Sequence, residues 1–270
     1  MLIFWLAINA TAREKSVDER IAQYGGSVQE RLAPLFAAAG LPYPPSKVTL
    51  IGLKAERELQ LYAAGTNGAY RFIRCYPILA ASGDLGPKLR EGDLQVPEGL
   101  YRIESLNPNS RFHLSLRINY PNADDHAHAK NEGRKNLGGD IMIHGNAVSI
   151  GCLAMGDSAA EELFVLVART GLRNTRVILS PVDFRVRHVP VRKAGAPPWV
   201  DALYGSIKTE LSQYKKKQDA EQSAAPLPSA PTGPSEGASH KLQHSSFLVR
   251  YSAVLSLHPP PTTHHLPPNT

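Results

Sequence analysis

The sequence is poor in several features that would define a class of protein at once. It holds two cysteines, Cys75 and Cys152, in 270 residues. That excludes a disulfide framework, and without a C-x-x-C pair it excludes a cysteine-rich zinc site. A single Cys75–Cys152 bridge stays open, but it would silence a nucleophile, and the strand-like neighbours of Cys75 make it a small core residue. No apolar run is long enough for a transmembrane helix. There is no long block of Lys or Arg, no aromatic–basic alternation of the RNA-binding kind, and no internal repeat. The net charge of +6 and pI near 9.3 therefore favour anionic surroundings in general, without choosing among nucleic acid, acidic lipid and wall polymer. Lys215-Lys216-Lys217 reads as the solvated end of a helix.

The chain divides by composition. In residues 1–12 a short apolar run, Leu2 to Ile8, precedes Ala10-Thr11-Ala12. This is the pattern at the end of a secretory signal, though the basic start is missing. Export, with a start upstream of Met1, is the expectation; a buried N-terminal segment is the other reading. Residues 13–45 form a helical segment. Ser27-Val28-Gln29-Glu30 is a capping-box pattern, Val28, Leu32, Leu35, Phe36 and Ala39 follow at helical spacing, and Pro34 is expected to kink the helix.

Residues 46–195 read as the main domain. "KVTLIGL" and "RELQLYA" suggest a hairpin, and "YRFIRCYPILAA" is a third strand. A Gly-, Pro- and Asp-rich run then leads into "VPEGLYRIE". "RFHLSLRINY" alternates, with Phe112, Leu114, Leu116, Ile118 and Tyr120 on one face. Pro121 to Gly139 reads as a long polar loop, a candidate lid over a cleft. "DIMIH" is a strand, Ser158 to Glu161 a second capping box opening a helix that Gly171 stops, and "TRVILSPVDFRV" a buried strand. Residues 196–217 form a C-terminal helix. Residues 218–270, rich in Pro, Ser and His, cannot bury enough apolar surface to order and are expected to be a disordered tail. The residues alone support a β-rich domain with a few helices.

The chemistry concentrates in "IMIHGNAVSIGCLAMGD", Ile141 to Asp157. A thiol attacks carbonyls as thiolate, so it needs an imidazole or a helix N-terminus nearby. His144 ends a strand, Cys152 follows a turn, and a helix starts soon after. Gly151 permits a tight backbone whose N–H groups could face an oxyanion, Gly145 lets the chain leave the strand sharply, and Ser149 can bond the loop or the imidazole. No acid stands where it would orient His144, which leaves a backbone carbonyl. The plain alternative is that His144 and Cys152 are structural residues of a strand and turn. Asp124, Asp125, His126 and His128 match no ligand signature, so neither a metal nor a cofactor is expected.

The whole pattern resembles the active-site signature of the L,D-transpeptidase catalytic domain (YkuD-type) and, more closely, its YafK-like branch: Ile-His-Gly, a short loop, Ser-x-Gly-Cys, then Met. "YPILAASGDLGPKLREGDLQVPEGLYRIE" and "RFHLSLRINYPNADD" extend the likeness from about Lys47 to Arg187. Two positions depart from the larger family, with Ile150 where it has His and Leu153-Ala154 where it has Arg.

The resemblance implies a mostly β (α+β) sandwich or open barrel, with one helix after the Cys and helices at both ends. It implies a cysteine enzyme acting on peptidoglycan stem peptides, Cys152 the nucleophile and His144 the base and acid. Backbone around Gly145, Ser149 and Gly151 would shape the oxyanion site. Lys88, Tyr120, Arg134 and Lys135 are candidates for substrate binding, with Lys130 as a further basic residue of the loop. It implies a periplasmic or secreted location, with a wall-attached lipoprotein as one conceivable partner and no nucleic acid. Transfer to an amine and hydrolysis by water both remain open, as does a non-catalytic wall-binding module.

Overall fold

The computed structural model describes residues 13–188 and 195–215. The expected signal remnant, the tail and Lys216-Lys217 lie outside the described residues.

The first helix, α1 (Val17–Ala38), starts earlier than its sequence reading. Its N-cap is Ser16: the Ser16 hydroxyl accepts from Glu19 N–H, and the Glu19 carboxylate accepts from Ser16 N–H. The chain thus offers two S-x-x-E patterns, and the upstream one wins. Ser27 lies inside the helix, its hydroxyl bonded to Tyr24 O. The helix passes through Pro34 to Ala38. Gly25 O accepts from Arg169 Nη2 of a neighbouring helix at 3.5 Å. Gly25, Val28, Leu32 and Phe36 form the buried stripe.

Eight strands follow: β1 (Lys47–Leu53), β2 (Glu58–Ala64), β3 (Tyr70–Pro77), β4 (Gly99–Ser110), β5 (His113–Ile118), β6 (Met142–His144), β7 (Leu153–Ala154) and β8 (Thr175–Ser180). They form one mixed sheet in the order β3-β2-β1-β8-β4-β5-β6-β7. β1–β2 is the expected antiparallel hairpin and β4–β5 a second one, while β1–β8 and β6–β7 pair in parallel. The segment after β3 meets the opposite edge, where Ala80 bridges Ala154. The sheet curls far enough for its two ends to touch, in keeping with the expected open barrel.

Burial explains the layering. β1 is hydrophobic on both faces: Val48 and Leu50 join the larger core with α1 and α3 (Asp157–Thr170), and Ile51 and Leu53 join a second core under α4 (Val200–Leu211). The wide apolar stripe of α3 is buried as expected, but its capping box is not formed. Its N-cap is Gly156, with no side-chain cap. The polar segment Pro121 to Gly139 is not a structureless loop either. It contains α2 (Ala123–Asn131), capped by Asn122, whose side chain accepts from Asp124 N and Asp125 N.

One buried acid ties α1, α3 and β3 together. Glu162 accepts from Arg31 Nε at 2.7 Å, Arg74 Nη1 at 2.7 Å and Tyr76 Oη at 2.9 Å. Glu162→Ala leaves three donors without their acceptor. Both arginine side chains keep about a third of their surface in water, which softens the loss to about 2–3 kcal/mol, below the range for breaking a fully buried pair. Thermal unfolding of the variant should start roughly 5–10 °C lower; an unchanged midpoint would contradict this role.

Candidate active site

The site is assembled on the short parallel ladder of β6 and β7. Ile143 pairs with Leu153 and His144 with Ala154. Cys152 directly precedes β7, and its thiol reaches back to the Met142 N–H at the start of β6, the strand that ends in His144. Beyond β7, Met155 N–H donates to His144 O and Gly156 N–H to Asn146 O, which closes the strand-to-turn connection. Gly145 fits because a Cβ there would approach Asp157 Oδ1 to 2.6 Å and Phe112 O to 2.8 Å. Gly151 is held at φ +90°, where only glycine is unstrained.

His144 is buried. Its Nδ1 lies 2.6 Å from Gly145 O. A carbonyl can only accept, so Nδ1 carries the proton and Nε2 is left bare. Burial also pulls the imidazole below its ordinary value of 6.5, against the opposing effect of that hydrogen bond. His144 is therefore neutral at pH 7 and equipped to accept a proton. Phe112 lies on the ring, with centroids 4.7 Å apart. The β5 alternation placed Phe112 in the core. Instead His113 takes φ +72°, and Phe112 falls in the β4–β5 turn, 40% exposed, over the imidazole.

The Cys152 thiol donates to Asp140 O at 3.5 Å and accepts from Met142 N–H at 3.3 Å. Burial raises it above its ordinary value, the Met142 N–H lowers it, the Asp140 carboxylate raises it again, and the Lys88 ammonium lowers it slightly. Burial disfavours both charged partners, so the resting pair is thiol and imidazole. The open N-terminus of α3 lines a hollow with Arg74 and Tyr76 that does not include Cys152. Iodoacetamide, a neutral probe, should therefore label Cys152 slowly at pH 7, with a rate that climbs through pH 9 and above as the thiolate forms. A fast plateau reached below pH 8 would mean a preformed ion pair. No disulfide joins the two cysteines.

The backbone donors expected at the oxyanion are engaged. Gly151 N–H donates to Ser82 Oγ at 2.5 Å, and Ser82 in turn donates to Leu94 O. Cys152 N–H donates to Ser149 Oγ at 2.9 Å, and Ser149 donates back to Cys152 O at 2.6 Å. An oxyanion using either N–H would have to displace a hydroxyl. Ser149 thus bonds the loop, not the imidazole.

The basic candidates separate. Lys88 is buried, its ammonium bound to Asp93 Oδ1 at 2.6 Å and to Arg90 O; its charge reaches Cys152 but its donors serve the loop. Tyr120 is buried, its hydroxyl aimed at Lys88 O and Leu137 O. Arg134 donates to Leu89 O and Glu132, and Lys135 is exposed. Together with the Asn136–Glu91 bonds, these contacts fasten the α2 segment to the loop that carries Lys88. Four residues that sequence reasoning passed over stand at the site: Ser82, Phe112, Asp140 and Arg117. Around the site the loops carry exposed apolar side chains, Ile150 (77%) foremost.

Known proteins resemble this arrangement. A profile of the L,D-transpeptidase catalytic domain (YkuD) matches residues 47–182. The chain is 42% identical over 116 residues to "Putative L,D-transpeptidase YafK" of Escherichia coli K12, a match that covers 42% of this chain and 44% of that one. The match thus spans less than half the length of this curated relative. Among solved structures, the helical cell shape determining protein Pgp2 of Campylobacter jejuni aligns with TM-score 0.42 at 16% identity, over 62% of this chain and 70% of its own. Mycobacterium tuberculosis L,D-transpeptidase 1 aligns with TM-score 0.30 at 14% identity, over 50% of this chain and 62% of its own. The matched profile takes in half of the chain, from β1 through the His144–Cys152 loop to β8, and on that ground the chain belongs to the L,D-transpeptidase catalytic domain (YkuD) family.

Proposed function

We propose that this protein is a cysteine acyltransferase of the cell envelope that acts on peptidoglycan stem peptides. The observation that carries the reading is the tautomer of His144: the Nδ1 proton is fixed on Gly145 O, and the bare Nε2 belongs to the residue that ends β6, the strand whose backbone touches the Cys152 thiol.

In the first half-reaction Cys152 Sγ attacks the carbonyl of the diamino acid at the third stem position, and the thiol proton passes to His144 Nε2. The tetrahedral intermediate collapses, its C–N bond breaks, and the imidazolium protonates the departing D-amino acid. A thioester on Cys152 remains. In the second half-reaction an amine attacks that thioester, His144 takes its proton, and the thiol is restored as the new amide forms. In the resting structure the thiol points at Asp140 O, so substrate has to turn the S–H toward the imidazole. Such tightening on binding is usual for catalytic hydrogen bonds.

The test is incubation of the purified protein with a disaccharide-tetrapeptide and with intact sacculi, the products read by mass spectrometry. A new crosslink or an exchanged D-amino acid is the outcome expected of a transferase. Loss of a crosslink, or of attached protein, with water added would make the same thioester a hydrolytic intermediate. No product from either substrate would remove the reading.

A further inference from the structure

Arg117 pairs with Met142 across β5 and β6, and the Met142 N–H in turn donates to the Cys152 thiol. Two strand spacings, roughly 10 Å, lie between β5 and β7, a distance that a guanidinium on a long side chain can largely close. Asp140 lies between Arg117 and Cys152. Its carbonyl accepts from the Cys152 thiol, and its carboxylate stands 2.9 Å from Arg117 Nη1.

The guanidinium is poorly satisfied for a group so placed. It approaches Glu104 Oε2 at 3.0 Å through Nε, and Asp140 Oδ1 through Nη1. Neither approach is aligned as a hydrogen bond, and Nε is a buried donor without an acceptor among the described residues. Both carboxylates are surface groups, Asp140 75% and Glu104 54% exposed, so water solvates them readily when they are displaced. A planar fork of donors near a nucleophile, held only by displaceable surface carboxylates, is matched to a carboxylate, which takes two parallel N–H bonds from it.

We infer that Arg117 binds the carboxylate on the leaving side of the scissile amide, the terminal carboxylate of the stem peptide, with Asp140 and Glu104 holding the guanidinium in place until substrate arrives. The inference rests on the stem-peptide reading above. It also supplies a cation to a site whose nucleophile is followed by Leu153 and Ala154 in place of a basic residue.

The experiment compares two tetrapeptide ligands, one ending in a free acid and one in a carboxamide. Binding is measured by calorimetry on Cys152→Ala, which cannot turn them over. The free acid should bind about 10- to 100-fold more tightly than the carboxamide, as a bidentate charged contact allows. Adding Arg117→Gln should bring the acid down to the carboxamide level and leave the carboxamide unmoved. Arg117→Lys should recover only part of the difference, since an ammonium cannot form the fork. Equal discrimination with and without Arg117 overturns the inference. If Arg117→Gln fails to fold, Glu104→Gln decides: tighter binding of the acid alone supports the role, and no change overturns it. Failure of the wild type to bind or process any stem peptide removes the functional reading and this inference with it. Normal turnover with discrimination independent of Arg117 removes the inference alone.

Discussion

Cys152→Ala loses turnover of stem peptides by about 10⁴-fold or more, the scale on which removal of a nucleophile is felt. The local hydroxyls offer no substitute. Ser149 is bonded on both sides to the Cys152 backbone, and Ser82 is held between Gly151 N–H and Leu94 O. The only other cysteine of the chain, Cys75, belongs to β3, so Cys75→Ala leaves turnover within about two-fold of wild type. Cys152→Ser is expected to rescue little. A hydroxyl holds its proton far more tightly than a thiol, and the imidazole that must take it is a weakened base in this site. The measurement is release of the D-amino acid from a tetrapeptide, with circular dichroism to show that each variant is folded. Retained turnover in Cys152→Ala would contradict the assignment outright.

His144→Gln lowers kcat by about 10²–10⁴-fold, the usual worth of a positioned general base. Its pH profile carries more information than its magnitude. Burial holds the His144 pKa below 6.5. The protonated imidazole cannot accept the thiol proton, so kcat/KM of the wild type falls only as pH drops through that lowered value. Activity is full from about pH 7 upward and lost on the acid side of 6.5. In His144→Gln the acid limb disappears, because the group that titrates there is gone. A wild-type profile with its acid limb above pH 7, or a variant that keeps the limb, would place the base elsewhere. The resting thiol and imidazole are both neutral, so weak thiol labelling at neutral pH does not distinguish a catalytic cysteine from an inert one here. Turnover does.

Periodicity made much of this fold legible. The apolar runs "KVTLIGL" and "RELQLYA" gave the first hairpin because strands buried on both faces read as near-continuous hydrophobic stretches, and alternation in "RFHLSLRINY" gave β5. The wide stripe of α3 was equally plain. What misled was local chemistry with more than one solution. Two S-x-x-E patterns compete to start α1, and propensity does not say that the upstream one wins. The α2 helix was hidden by an Asn-x-x-Asp cap and a polar sequence with no apolar stripe. Phe112 was misassigned because the positive φ of His113, uncommon for any non-glycine residue, interrupts the alternation.

At the site, the short-range features were legible and the cross-strand ones were not. His144, Cys152 and the glycines around them lie close in sequence and announce themselves. The carbonyl that orients His144 belongs to its own neighbour, Gly145. The hydroxyls that occupy the N–H groups of Gly151 and Cys152 could not all be foreseen: Ser149 lies nearby, but Ser82 arrives from the far edge of the sheet through the curl that joins Ala80 to Ala154. Arg117 reaches the site through its register with Met142 and its ion pair with Asp140, whose carbonyl the Cys152 thiol touches. No spacing in the sequence encodes that grouping.

A thioester on Cys152 is detected by intact-protein mass spectrometry after an acid quench. Protein mixed with a tetrapeptide donor in the absence of acceptor should gain the mass of the donor less its leaving D-amino acid, and digestion should place that mass on the peptide containing Cys152. Turnover that proceeds with no such adduct, or an adduct that persists in Cys152→Ala, would contradict the account.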